Sequence, residues 1–257
     1  MTVFSSPILT LLIFLAAQGL GAVLLFFLGM DVTTFSLIAA GVNILALLCC
    51  HLFLHNMRLA TAFDASLIRW RPAMLAVAGG ILGAISISIL TDNVELPEAM
   101  KQMSLAMSHN LFGLITLIII GPISEELLFR EAIEGEMLRR GASPWTAILV
   151  SALAFSTIHF NLAQGLYALP IGIMFGIIYY KTGNIILTSL LHIINNGIAA
   201  AQLNILGQDI DDASFADLFG SKPTAYAASA LFALLCIALM TRFWRTYRRR
   251  TSTSESQ

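Results

Sequence analysis

The sequence predicts an all-α membrane protein, a polytopic bundle of about eight transmembrane helices with both termini in the cytoplasm. Three observations predict it. Of the 257 residues, 58% are hydrophobic and 11% charged, and the mean hydropathy is +0.83, where a soluble domain carries about 25% charged residues. Apolar runs near the roughly 20 residues needed to cross a bilayer recur along the chain. The basic residues also sort to one side of those runs.

The first run, Pro7–Gly29, has no Lys or Arg ahead of it and exceeds a signal-peptide core, so it reads as a retained span. The others are Phe35–Leu54, Pro72–Leu90, Leu111–Arg130, Pro144–Phe160, Ala163–Tyr180, Ile185–Leu206 and Thr224–Trp244. With the N-terminus inside, the inner segments hold Arg58, Arg69, Arg71, Arg130, Arg139, Arg140, Lys181, Arg242, Arg245 and Arg248 to Arg250. Only Lys101 and Lys222 of the 14 basic residues fall outside. The outer loops carry Asp31, Asp92, Glu95, Glu98, Asp209, Asp211, Asp212 and Asp217. That is the positive-inside pattern.

Smaller features fit between the spans. Leu96–His109 reads as a short amphipathic helix on the outer surface, and Thr251–Gln257 as a disordered polar tail. Gly79-Gly80-x-x-Gly83 and Gly172-x-x-x-Gly176 have the spacing of close helix contacts. Pro122 and Pro170 are expected to kink their spans. Cys49, Cys50 and Cys236 form neither a disulfide framework nor a C-x-x-C motif.

Charge inside a span costs about 2.5–3.5 kcal/mol per residue at its centre. The fourth span nevertheless reads Gly121-Pro-Ile-Ser-Glu125-Glu126-Leu-Leu-Phe-Arg130. Glu126 and Arg130, at i,i+4, can neutralise each other as a structural ion pair. Glu125, about 100° round the helix, then faces something else. An interfacial, solvated patch is the alternative. The fifth span offers Phe155-Ser-Thr-Ile-His159, and the seventh His192-Ile-Ile-Asn195-Asn196, where His192 and Asn196 share a face.

Arg139-Arg140-Gly141-Ala142-Ser143-Pro144 reads as helix stop, N-cap and N1 proline of a tight hairpin. Glu125 and His159 each lie 17 residues from its centre at position 142. Equal separation in antiparallel helices implies equal depth, so the two should meet roughly 20–25 Å from the turn. The charged stretch Glu131–Arg140 should project into the cytoplasm, leaving the pair in the inner half of the bilayer. His192, about 12 Å beyond the turn at Lys181–Asn184, should reach a comparable level.

These motifs, EExxxR, FxxxH and HxxxN, resemble those of the CAAX prenyl endopeptidase and bacteriocin-processing (abortive-infection) family of intramembrane proteases. The resemblance covers about residues 108–205 and is specific because all three occur in order, each in its own span. It implies hydrolysis of a peptide bond by a water that Glu125 and His159 activate, with His192 and Asn196 stabilising the oxyanion. Phe155 supports the second motif, and Asn195 leaves open which asparagine acts. A carboxylate with an imidazole, and two donors for a developing charge, suit that chemistry independently. The chain then divides into scaffold spans at 1–107, a catalytic core at 108–205, and a loop, last span and basic tail at 206–257.

No cofactor is favoured, although Glu125, His159 and His192 would also suit zinc. His51 and His55 have ligand spacing without the glutamate of H-E-x-x-H. A non-catalytic resistance or immunity protein and a proton-coupled transporter are the alternative readings. No half of the chain repeats the other, which counts against the transporter. The expected partner is a membrane-embedded or lipidated peptide or protein in a bacterial inner membrane, with no nucleic acid.

Overall fold

The computed structural model describes residues 3–28, 31–206 and 214–247, and these are helical with no strand. Asp209, Asp211, Asp212, the arginines at 248–250 and the tail Thr251–Gln257 lie outside the described residues. Among the described residues, seven helices are long and apolar enough to cross a membrane: α1 (Ser5–Leu28), α2 (Val32–Leu54), α3 (Trp70–Thr91), α5 (Leu111–Arg139), α7 (Leu162–Thr182), α8 (Ile186–Leu206) and α9 (Lys222–Thr246). They match seven of the expected spans. The eighth, α6 (Pro144–Thr157), has 14 residues, about 21 Å at 1.5 Å per residue, short of a hydrocarbon core of about 30 Å. A short helix, α4 (Glu98–Ser108), forms within the expected stretch.

Local chemistry sets the helix ends. Asp31 caps α2 by accepting from the Thr33 and Thr34 amides, and its bonds to Thr34 hold its carboxyl below the ordinary aspartate value. Ser143 caps α6 ahead of Pro144, after Gly141 turns the chain at φ 87°. Gly183, at φ 74°, closes α7.

The glycine motifs sit where helices approach. A Cβ on Gly79 would lie 3.2 Å from Met240 of α9, and one on Gly80 would lie 2.8 Å from Leu191 of α8. A Cβ on Gly172 of α7 would lie 3.2 Å from the Ala152 backbone and 3.3 Å from the Phe155 ring. Gly172→Val therefore forces α6 away from α7 and moves Phe155. A loss of about 1–3 kcal/mol is expected, the range for overpacking, to be read from melting in detergent. An unchanged melting curve contradicts this contact.

Helix α5 departs from α-geometry around Pro122. Thr116–Ile120 and Glu126–Gly135 are π-helical, flanking an α-helical turn at Gly121–Glu125. The helix is thus widened on both sides of Pro122, a feature that recurs at functional sites. Pro170 sits inside α7, which continues past it to Thr182.

The charged stretch Glu131–Arg140 does not simply face solvent. Glu131 and Glu134 are buried, the first among several partners and the second with neither carboxyl oxygen hydrogen-bonded among the described residues. Glu131 accepts from Tyr179 Oη at 2.5 Å, Arg139 Nη1 at 2.7 Å and the Arg58 amide at 3.0 Å. Glu136 pairs with Arg139 and Arg140. The end of α5 is therefore packed into the bundle, and Phe14 of α1 meets its Phe129 at 6.2 Å between ring centres.

Candidate active site

The adjacent glutamates of α5 divide as their angular offset requires. The Glu126 side chain is fully buried, whereas that of Glu125 is 23% exposed. Glu126 Oε2 accepts from Arg130 Nε at 3.2 Å, forming the expected ion pair. Arg130 Nη1 donates to Ser151 Oγ at 2.9 Å, and that hydroxyl donates to the Phe129 carbonyl at 2.7 Å. The guanidinium also lies over the Phe155 ring, 5.3 Å from its centre. This arrangement offsets the cost of a charge with no access to water.

Across from this pair stands His192 of α8. Its Nδ1 is 3.0 Å from Glu126 Oε1, and its Nε2 is 3.5 Å from Glu125 Oε2. A carboxylate only accepts, so Nδ1 carries the proton shared with Glu126, and Nε2 is turned towards Glu125. Glu126 thus has a second task beside pairing with Arg130. It orients the imidazole, as outer carboxylates do for catalytic histidines. The i,i+4 spacing foretold the ion pair, but no sequence signal marked the bond across 66 residues.

His159 follows the end of α6 at Thr157, where Phe160 takes a left-handed φ of 53°. Its Nδ1 lies 2.9 Å from the Phe155 carbonyl, an acceptor, so Nδ1 donates and the Nε2 lone pair faces away from that bond. The Phe155 ring makes edge contacts with both imidazoles, at 5.2 Å to His159 and 5.7 Å to His192. Phe155 therefore sits between the two histidines and under Arg130.

The expected direct meeting of Glu125 and His159 is not among the contacts. No hydrogen bond or ion pair joins them among the described residues, and Glu125 faces His192 instead. Two physical reasons account for it. A π-helical limb holds more residues per turn than an α-helical one, so equal counts from the hairpin do not give equal height. His159 also lies past the helix end, off the line that the count assumes.

Asn196 is anchored to α5. Its Nδ2 donates to the Leu117 carbonyl at 3.0 Å. In the π ladder the Gly121 amide bonds the Thr116 carbonyl. The next amide belongs to Pro122, which has none, so Leu117 is left without its ladder donor. The proline before the glutamates thus supplies the acceptor that holds Asn196.

Among the described residues no three His, Cys, Asp or Glu side chains are gathered as a metal site, His51 and His55 included. An apolar cavity of about 360 Å³ lies beside the site between α3, α7 and α8, with Gly80, Tyr167, Phe175, Leu191 and Asn195 in its wall.

Residues 107–198 match the model of the family described as Type II CAAX prenyl endopeptidase Rce1-like. That region runs from the end of α4 through the Asn196 turn of α8 and contains every residue of the site. No curated protein and no solved structure matches the chain.

Proposed function

We propose that this multi-pass membrane protein, with its Rce1-like region at 107–198, is an intramembrane endopeptidase that hydrolyses a membrane-associated peptide or lipidated protein. The observation that carries the reading is His192 held between two carboxylates, Glu125 at 3.5 Å and Glu126 at 3.0 Å. Each ring nitrogen of His192 faces a carboxylate oxygen, and a carboxylate only accepts, so both nitrogens are placed to donate.

Glu125 is the one acid of the pair with an accessible face, so it is the general base. It takes a proton from a water that the Nε2 of His159 helps to orient. The resulting hydroxide adds to the scissile carbonyl. Once Glu125 is protonated it no longer competes for the His192 Nε2 proton. That proton, together with the second N–H of Asn196, then binds the oxyanion. Collapse of the tetrahedral intermediate breaks the C–N bond, and Glu125 returns its proton to the leaving amine. Glu126 and Arg130 touch no reacting atom in this scheme and keep His192 in place. The deciding experiment compares cleavage of a membrane-tethered peptide in proteoliposomes by the unaltered protein and by Glu125→Gln.

The proposed orientation places both termini in the cytoplasm, supported by the distribution of Lys and Arg. Single cysteines at Ser254 and Ser214, with Cys49, Cys50 and Cys236 replaced by alanine, should react with impermeant reagents from opposite sides of the membrane. Reaction of both from one side overturns this topology.

A further inference from the structure

Asn196 is joined to its neighbour on α8. Its Oδ1 accepts from Asn195 Nδ2 at 3.3 Å. Asn195 Oδ1 in turn accepts from the Tyr167 hydroxyl of α7. The order of donors along this row is forced from one end. The Leu117 carbonyl can only accept, so Asn196 must present Nδ2 to it and Oδ1 to Asn195. Asn195 must then present Nδ2 to Asn196 and Oδ1 to Tyr167, which must donate. Pro122, which removes the ladder donor of Leu117, sets the sense of the whole row.

We infer that Tyr167 and Asn195 are positioning residues that act through Asn196, holding its amide so that its second N–H faces the scissile carbonyl. The inference rests on the proposed function and deepens it by separating the two asparagines. Asn196 binds the oxyanion; the Leu117 carbonyl sets which way it points, and Asn195, backed by Tyr167, holds it there. An unassisted asparagine amide turns about its last bond, and a turned amide would present an oxygen to an oxyanion. Asn195 and Tyr167 also line the apolar cavity, whereas Asn196 does not. The row is therefore part of the wall between cavity and site.

Two measurements test this. In protein labelled with ¹⁵N at asparagine and held in micelles, Tyr167→Phe should shift the Asn196 side-chain amide resonance, although the Tyr167 hydroxyl bonds Asn195 and not Asn196. An unmoved Asn196 resonance overturns the inference whatever the activity, so it can fail independently of the proposed function. In the peptide assay, Tyr167→Phe and Asn195→Asp should each lower kcat about 10-fold with KM and melting temperature retained. Asp at 195 would face the Asn196 oxygen with an acceptor and reverse the row. In an Asn196→Ala background neither change should lower kcat further, because residues that act through one group do not add. Multiplying effects, or an unchanged kcat in the two single variants, overturn the inference. A wild-type protein without cleavage would instead overturn the proposed function, and the resonance measurement would still decide the row.

Discussion

Glu125→Gln should lower turnover by about 10²–10⁴-fold, the range for losing a general base, while the melting temperature stays close to that of the unaltered protein. Glutamine keeps the volume of the side chain and still accepts a hydrogen bond from His192, but it cannot take a proton from water. The 23% exposure of Glu125 lets water solvate the site after the change. In the same proteoliposomes His192→Ala and Asn196→Ala should each lower kcat by about 10²–10³-fold with smaller effects on KM, because oxyanion donors act mainly in the transition state. Full cleavage by Glu125→Gln refutes the enzyme reading. Full cleavage by both of the other variants refutes only the oxyanion assignment.

The second large effect is on stability. Arg130→Ala and Glu126→Ala should each lose about 3–5 kcal/mol, the cost of removing one partner from a buried pair. Both side chains are fully buried, and each satisfies other groups besides its partner. Without Arg130, Glu126 keeps His192 and the Thr188 hydroxyl, and Ser151 loses its guanidinium. Without Glu126, Arg130 stays charged with Ser151, the aromatic rings and the buried Glu134 near it. Glu126→Ala should also inactivate, because His192 loses the acceptor at its Nδ1. Melting curves in detergent give the measurement, with Glu125→Ala as the comparison. Equal, large losses for Glu125→Ala and Glu126→Ala would show that the two carboxylates do not divide the structural and chemical tasks.

The contrast between these neighbours was partly legible in the chain. An acid four residues before an arginine, inside an apolar span, requires a pair, and the remaining acid requires another explanation. The hairpin at Gly141-Ala142-Ser143-Pro144 was equally plain, because its turn, cap and proline are local chemistry. The glycines at 79, 80, 83 and 172 were legible as close contacts, though not which helix each meets. The internal packing of Glu131 was hidden. Its partners are Tyr179, Arg139 and the Arg58 amide, and the periodicity of a charged stretch looks the same whether its charges meet water or one another.

By itself the sequence determined the all-helical class, the long spans and several of the helix ends, and it singled out the polar residues within the spans. Hydropathy, caps and turn residues act over a few positions, and the cost of charge in a span marks polar residues wherever they stand. Tertiary structure alone decided that Glu125 faces His192 and not His159, that Glu126 orients His192, and that Leu117 holds Asn196. Each of these depends on the pitch of α5 around Pro122 and on the early end of α6. A small change in rise per residue, accumulated along a helix, moves a side chain by a turn against its neighbour, and no count along the chain contains that displacement.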